Sequence, residues 1–227
     1  MLLLGLDTAT PAVTVALHDG GQPLAQLVTV DPHRHAELLA PAIAKVVADA
    51  GATQRDLTGI VVGVGPGPYT GLRVGIVTAK VLAAALGIPV YGVCSLDVIA
   101  ADVEGERAFA VATDARRREV YWARYDETGR WAGPEVDRPG DLLAHFNPQE
   151  VPVAGEGPLL YPEHFPHGRG PTFPAAATLC RIAAAALARG ETVAAAAAPG
   201  AILLPPEPLY LRRPDAREPG APKRVTP

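Results

Sequence analysis

The sequence predicts an α/β protein built from two similar halves, of which the second is reduced. Three observations support this fold class. In residues 1–93, apolar strands and amphipathic helices alternate in the order strand, strand, helix, strand, helix, strand, which is typical of layered α/β folds. A later segment, 109–131, resembles the opening segment 4–24. The chain has 227 residues, of which 48% are hydrophobic and 19% are charged, so it can bury a sizeable core.

The repeat is visible as two similar hairpins. The segments LGLDTATPAVTVALHDGGQPL and FAVATDARRREVYWARYDETGRW align with Asp7 on Asp114 and with Val13 on Val120. In each segment an apolar strand ends at an aspartate, turns through polar residues and returns as an alternating strand. Two unrelated hairpins would give the same match, and this alternative stays open. We interpret the repeat as a duplicated α/β domain.

The other elements of the first half follow from periodicity and from glycine stops. Helical periodicity predicts helices over 33–50 and 70–86, each of which is followed by a glycine. Apolar runs predict strands over 59–64 and 89–93.

The second half has weaker signals. Beyond its hairpin, the pattern predicts a strand over 150–154 and a helix over 176–189. The apolar pattern breaks near 100–108, where we expect a domain boundary. The predicted parts are an N-terminal α/β domain with partner-binding helices, a reduced C-terminal α/β domain and a polar, Pro-rich, mobile tail, over 1–104, 105–213 and 214–227.

Charge and cysteine content narrow the class of protein. The formal net charge of −4 gives no basic field for gripping nucleic acid, so an RNA substrate would be held mainly by another chain. Cys94 and Cys180 lie in apolar runs and are expected to be reduced core residues. The start, MLLLGLDTAT, has no basic region before its apolar run and soon reaches Asp7, which predicts a strand instead of a signal peptide or membrane span. We expect a cytoplasmic protein without a membrane segment.

The stretch GVGPGPYTGLR has the glycines of a phosphate-binding loop but not the spacing. No Gly-Lys-Ser/Thr follows, and Thr70 stands where the dinucleotide fingerprint needs its third glycine. Pro66 and Pro68 carry no N–H, so the loop has lost two donors that a phosphate cradle would use. One interpretation is a rigid turn from strand to helix with Thr70 as N-cap. The other is a weak anion site at Gly67, Thr70 and Gly71.

The end of the first strand offers a second weak candidate site. Asp7, Thr8 and Thr10 could hold a hydrated Mg²⁺ ion or a phosphate. The same residue types are common turn formers, so a purely structural role is the alternative.

Several segments, in chain order, resemble the TsaB family of bacterial proteins of tRNA threonylcarbamoyladenosine synthesis. GPGPYTGLRVGIVTAKVLA is similar to the family's GPGSFTGLRIG segment, and LGLDTAT, TDARRREVY and PLYLRR resemble further parts of it. Pro68 and Tyr69 depart from the pattern, where the family often has Ser and Phe. The resemblance implies the duplicated actin-like ATPase (RNase H-like) fold, which the family shares with its relative TsaD.

The resemblance also implies a subunit that is not an enzyme on its own. Such a chain would bind and support TsaD, which transfers threonylcarbamoyl from its adenylate to N6 of adenosine 37 in tRNAs that read ANN codons. TsaE, an ATPase, is a further expected partner, tRNA is expected to be reached through the complex, and the free chain can be a homodimer. The alternative is an autonomous nucleotide-dependent enzyme, such as a small-molecule kinase or a glycopeptidase.

No catalytic residue and no metal site are expected. TsaD holds a metal on a His-x-x-x-His pair, and Ser95 and Ile99 stand at the matching positions, where an isoleucine offers no ligand atom. The segment GEGP resembles the adenosine loop of TsaD, but its Glu156 brings negative charge towards the phosphates. ATP or ADP with Mg²⁺ is therefore expected only within the complex. Four histidines of this chain are interpreted as surface side chains: His18, His145, His164 and His167.

The two N-terminal helices are predicted to carry the partner surface. Gly75, Ala79 and Ala83 recur every four residues and would let another helix approach closely, as in a four-helix bundle with TsaD or a second copy. The expected interface residues are Leu38, Leu39, Ile43, Val46, Leu72, Gly75, Ile76, Ala79 and Ala83. The sheet would then be covered by Val74, Val77, Val81 and Leu82. The alternative is that the small residues pack on this protein's own sheet.

Overall fold

The first of two five-stranded sheets is formed by the N-terminal half. The computed structural model describes residues 1–194 and 200–212, and the predicted tail, 214–227, lies outside the described residues. The strands are β1 (Leu3–Asp7), β2 (Ala12–His18), β3 (Pro23–Val30), β4 (Gly59–Gly63) and β5 (Val90–Val93). Their order across the sheet is β3-β2-β1-β4-β5, with β1 to β3 antiparallel and with β4 and β5 parallel to β1.

Two long helices make the connections of this first sheet. Helix α1 (His35–Asp49) lies between β3 and β4, and helix α2 (Tyr69–Leu86) connects β4 to β5. Gly87 ends α2 with a φ of +67°, a left-handed conformation that glycine adopts without steric cost. The predicted helices and strands of this half are confirmed, since their ends lie within two residues of the predicted ones.

The second sheet repeats the arrangement of the first. Its strands are β6 (Ala108–Asp114), β7 (Val120–Asp126), β8 (Gly129–Asp137), β9 (Val153–Ala154) and β10 (Gly168–Arg169). The order across the sheet is β8-β7-β6-β9-β10, with the first three strands antiparallel and the last three parallel. Strands β1 and β6 hold the same place in the two sheets and end at the aligned residues Asp7 and Asp114. The two halves are therefore a structural repeat.

The second half is smaller because its connections are shorter. Where the first half has α1 and α2, the second has a 3-10 helical segment (Pro139–Ala144) and the one-turn helix α4 (Gly157–Leu160). The predicted strand over 150–154 is confined to the two residues of β9. Helix α3 (Ser95–Ala100) was not predicted, because six residues are too few for a helical period to show in a sequence.

Helix α5 (Ala176–Ala188) confirms the helix predicted over 176–189 and packs on the first sheet. Helices α1 and α2 cover one face of that sheet, and α5 covers the other. Gly5 in β1 permits this close packing, since a Cβ atom there would lie 2.5 Å from the Cys180 sulfur and 2.7 Å from the Ala176 carbonyl oxygen. The division of the chain into two domains near residue 104 stays a prediction. Helix α5 lies in the C-terminal half of the sequence but packs on the sheet of the N-terminal half.

Within the described residues, α2 is the one helix long and apolar enough to cross a membrane, with a mean hydropathy of 1.3. Its position in the fold accounts for this composition. It connects two parallel strands, and one of its faces is buried on the sheet between them. We therefore describe α2 as a helix of the sheet layer, since core helices of folded domains meet the same criteria of length and composition.

Candidate interaction surface and cleft

The small residues predicted to meet a partner face this protein's own sheet. Gly75, Ala79 and Ala83 are buried, and Ala79 has no solvent-accessible surface. Leu38 is half-buried. The other predicted interface residues are buried in the same core: Leu39, Ile43, Val46, Leu72 and Ile76. These residues hold the helix pair to the sheet, which corrects their predicted place at a partner surface.

Thr8 explains why α2 has glycines on its inner face. The Thr8 hydroxyl donates to the Gly71 carbonyl oxygen at 2.8 Å and accepts from the Gly75 backbone N–H at 3.1 Å. A Cβ atom at Gly71 would collide with the Thr8 carbonyl oxygen, and one at Gly75 would collide with the Thr8 hydroxyl. Thr8 therefore fastens α2 to the end of β1, and its hydroxyl proton is used within the fold.

The outward face of the helix pair carries exposed apolar residues among charged ones such as Lys45 and Lys80. Val77 and Val81, which were predicted to cover the sheet, instead expose 56% and 64% of their surface. The physical reason is size, because the small residues allow α2 to lie closer to the sheet than valines would. Alanines are four of the eight exposed residues of α1. We define the helix-pair surface by its exposed apolar residues Ala36, Ala40, Ala44, Ala48, Val77, Val81, Ala84 and Ala85.

The glycine-proline loop after β4 is a tight turn against the β1–β2 connection. Gly67 packs on Ala9, whose carbonyl oxygen would overlap a Cβ atom at position 67. Helix α2 begins at Tyr69 with Pro68 as its N-cap, so the prediction of Thr70 as the cap is wrong. Pro68 already has the extended backbone of a cap residue, with φ −59° and ψ 136°, and this lets the helix begin one residue earlier. The geometry fits the rigid-turn interpretation of the loop.

Asp7 ends β1 in a fully buried position. Its carboxylate accepts hydrogen bonds from the Ser95 hydroxyl at 2.6 Å and from the Ala9 N–H at 2.7 Å. Burial raises the pKa of Asp7 to about 6, and the two hydrogen bonds act against that shift. Thr10 forms a local bond as well, accepting from the Ala12 N–H at 3.3 Å. The polar atoms of this turn are occupied in the way expected of a structural turn.

Two cavities open beside Pro68, between the two halves. One has a volume of about 320 Å³, and its lining includes Gly67 and several aromatic and basic side chains. The other has a volume of about 370 Å³ and is lined in part by Thr8, Thr10, Thr70 and Gly71. The structure thus brings four of the weak anion candidates to one cavity, while Asp7 lies behind them and Gly67 faces the neighbouring cavity.

The positions that match the histidine pair of TsaD are buried in the core. Ser95 and Ile99 lie on α3 and have almost no exposed surface. Ser95 donates to Asp7 and accepts from the Gly65 N–H at 3.2 Å, so it links the ends of three strands. Ile99 packs in the hydrophobic core. Both residues therefore make contacts within the fold.

Glu156 lies at the end of β9, beside Asp114 at the end of β6. It is buried, and its Oε2 has no hydrogen-bond partner. Burial raises the pKa of Glu156 to about 7, and the negative charge of Asp114 adds to the shift. The two carboxyl groups lie at the ends of adjacent strands, and Arg116 pairs with Asp114 at 3.3 Å.

One group of side chains at the edge of the second sheet has no counterpart in the predictions. Glu135 and Asp137 on β8 and His145 after the 3-10 segment bring one potential ligand atom each to within 4.8 Å of one another. His145 was interpreted as an isolated surface histidine. No spacing rule links it to Glu135, because a strand end and a helical turn separate them and the contact depends on how the chain folds back.

Comparisons with known proteins agree with one another. The family model described as TsaD, tRNA N6-adenosine threonylcarbamoyltransferase, matches residues 29–219. An uncharacterized protein of Mycobacterium bovis is 44% identical over 223 residues, which cover 95% of this chain and 93% of that protein. The tRNA threonylcarbamoyladenosine biosynthesis protein TsaB of Escherichia coli is 32% identical over 230 residues, which cover 93% of this chain and 95% of that protein.

A solved structure extends the likeness to three dimensions. YeaZ from Pseudomonas aeruginosa superimposes with a TM-score of 0.75 at 30% sequence identity, covering 92% of this chain and 99% of that one. Since the coverage is nearly complete, the likeness includes both the full first half and the reduced second half.

Proposed function

Because the chain belongs to the TsaB family of tRNA threonylcarbamoyladenosine biosynthesis proteins, we propose that it is a non-catalytic subunit that binds and supports TsaD. Family membership means that the chain takes part in the biosynthesis of this modified nucleoside. Its fold is the duplicated actin-like ATPase fold predicted from the sequence. We further propose that TsaD is the partner of this chain and that TsaD, not this chain, carries out the reaction.

In the proposed complex, TsaD transfers threonylcarbamoyl from its adenylate to N6 of adenosine 37 in tRNAs that read ANN codons. This chain contributes no reacting group. TsaE is a further partner, and two copies of this chain pair through the TsaD surface when TsaD is absent. The net charge of −4 supports contact with tRNA through the complex, because phosphates are attracted by basic surfaces.

The observation that carries the non-catalytic assignment is the internal use of the cleft residues. Both carboxylate oxygens of Asp7 accept hydrogen bonds from the protein, and the Thr8 hydroxyl donates a hydrogen bond to the backbone of α2. Ser95 and Ile99 are buried where the relative holds a metal. The polar atoms of Asp7, Thr8 and Ser95 are thus engaged within the fold, which supports a structural role for these three side chains.

Nucleotide fits poorly to the residues of this chain by itself. Pro66 and Pro68 lack amide donors, Thr8 is engaged, and Glu156 adds a buried carboxyl group. We therefore expect ATP or ADP with Mg²⁺ only in the complex, where TsaD adds donors. Calorimetry should give a Kd for ATP in the millimolar range or weaker, about −4 kcal/mol at best. Micromolar binding to the isolated chain would instead favour an autonomous kinase or glycopeptidase-like enzyme.

The helix-pair surface is the proposed contact with TsaD. Its exposed valines lie beside half-buried Val74 and Leu82 and share the outer face of α2 with Lys80. Exposed apolar side chains grouped on one face are typical of protein–protein contacts. Two helices that present such a surface together can complete a four-helix bundle with an equivalent pair.

Glutamate substitutions on this surface test the proposal. Val77→Glu and Val81→Glu should lower the affinity for TsaD at least tenfold and reduce formation of the modified nucleoside in a reconstituted reaction, because each places a charge in an apolar contact. Val28→Glu is the matched control, since Val28 is 57% exposed and lies on the opposite face of the same sheet. Circular dichroism would verify that all three variants are folded.

Two results would contradict the proposed contact. One is wild-type affinity for TsaD in both Val77→Glu and Val81→Glu. The other is an equal loss in Val28→Glu, which would mean that the effect does not depend on the helix-pair surface.

A further inference from the structure

We propose that Glu135, Asp137 and His145 form a labile binding site for a divalent metal ion of the zinc class. Each residue offers one ligand atom, and the three atoms lie within 4.8 Å of one another. The site lies at the edge of the second sheet, away from the helix-pair surface and from the buried pair Ser95 and Ile99. The proposal is independent of the partner assignment.

Two features of the fold bring these three residues together: the strand β8 and the 3-10 segment that follows it. Glu135 and Asp137 are two positions apart on β8, so their side chains lie on the same face of the strand. The chain then turns through the 3-10 segment Pro139–Ala144, which ends at His145 and returns its ring towards that face. The His145 ring packs on the buried ring of Trp122, with the ring centroids 4.7 Å apart.

Trp122 also orients the central carboxylate. Its indole N–H donates to Asp137 Oδ2 at 2.8 Å, and His145 Nε2 lies 3.5 Å from the same oxygen. Hydrogen bonds of this kind from outside a ligand set commonly fix the direction of ligating side chains. Two atoms bound at about 2.1 Å in tetrahedral geometry lie roughly 3.4 Å apart. The spacing of His145 and Asp137 therefore already suits a shared metal.

The donor set selects the class of metal. Two carboxylate oxygens and one imidazole nitrogen suit zinc and its neighbours among the transition metals, whereas calcium and magnesium prefer oxygen alone. His145 is 37% exposed at its side chain, and Glu135 is exposed, so the open side of the site faces water. Three ligands and a water position indicate exchangeable binding that chelators remove.

Calorimetric titration of the full chain with ZnCl₂ tests the site. We expect one ion per chain, and affinity at least tenfold lower in Glu135→Gln and in His145→Ala. His164→Ala is the matched control, because the His164 side chain has similar exposure, 39%, and lies 3.8 Å from the carboxylate of Glu163. This variant should bind zinc as the wild type does.

Tryptophan fluorescence provides a second and local measurement. The chain has two tryptophans, and Trp131→Phe leaves Trp122 as the reporter. Cu²⁺ should quench Trp122 in a saturable manner, and Zn²⁺ should reverse the quenching by competition. The proposal is overturned if zinc binding is not saturable, if Glu135→Gln and His145→Ala keep wild-type affinity, or if His164→Ala weakens binding equally.

Discussion

Asp7 is a single residue through which pH acts on the stability of this protein. Its pKa is about 6 in the fold, against an ordinary value of 3.8, because burial disfavours the carboxylate. Between these two values the folded state keeps a proton that the unfolded state has released. The stabilisation is therefore fully present below the unfolded pKa and is lost as pH rises through the folded pKa, by about 3 kcal/mol in total.

Asp7→Asn should remove this dependence. Relative to the wild type, the variant should gain unfolding free energy as pH rises from 4 to 7, measured by urea denaturation at a series of pH values. Asp19→Asn is the control, since backbone N–H groups of Gln22 and Gly21 lower the pKa of the exposed Asp19 below its ordinary value of 3.8. The contribution of Asp19 is lost only as pH falls below that value, so its difference from the wild type should stay nearly constant from pH 4 to 7. A constant difference between Asp7→Asn and the wild type across this range would refute the assignment.

Asp97 is a second residue with a large expected effect, because it joins α3 to the second sheet. Its carboxylate accepts from Arg130 Nε at 2.9 Å and from the Tyr125 hydroxyl at 2.7 Å, and the Arg130 side chain is only 3% exposed. Asp97→Ala should cost about 3–5 kcal/mol of unfolding free energy, because it leaves a buried guanidinium unpaired. Denaturant unfolding measures the loss.

Two companion variants show whether that loss comes from the unpaired charge. The double variant Asp97→Ala with Arg130→Met should recover most of the stability, since both charges are then absent. Asp49→Ala breaks the exposed Lys45–Asp49 pair and should cost less than about 1 kcal/mol. If the double variant were as unstable as Asp97→Ala, packing and not charge would explain the effect.

At the scale of elements, α2 has two faces with different tasks. Its inner face consists of glycine and alanine residues, so the helix lies close to Thr8 and the sheet. Its outer face carries exposed valines. Ala79→Arg should therefore damage the fold itself, by about 3 kcal/mol or more, because a large charged side chain cannot enter this packing. Ala84→Arg, on the outer face, should change stability by less than about 0.5 kcal/mol.

Thermal and urea unfolding of the two arginine variants distinguish the faces. A folded Ala79→Arg protein with wild-type stability would mean that the small residues do not face the sheet. Such a result would favour the original prediction that Gly75, Ala79 and Ala83 contact a partner.

At the scale of the whole molecule, α5 makes the N-terminal half dependent on the rest of the chain. It covers the face of the first sheet formed by Leu3, Val61 and Val93, which are fully buried or nearly so. A fragment of residues 1–104 would expose that apolar face to water, at a cost proportional to the area uncovered. We expect the fragment to show no cooperative urea transition by circular dichroism, and a transition like that of the full chain would contradict this.

The sequence by itself determined the family and the longer helices, and it indicated the repeat. Helices α1, α2 and α5 have periods and stops that neighbouring residues set, so their positions were predictable. The two hairpins whose first strands end at Asp7 and Asp114 could be aligned because each is formed by residues close in the chain. The loop GPGPYTGLR is specific enough to indicate the family, and the lack of a following Gly-Lys-Ser/Thr excludes a Walker phosphate loop.

Only the tertiary structure decided which surface each element presents. The sequence of α2 is apolar almost all round, so its buried face depends on a hydroxyl from Thr8, more than sixty residues away. The same holds for α5, which covers a sheet of the other half, and for His145, which meets Glu135 through a turn of the chain. Periodicity reports the order of neighbours along the chain, whereas these contacts depend on packing between residues far apart in it.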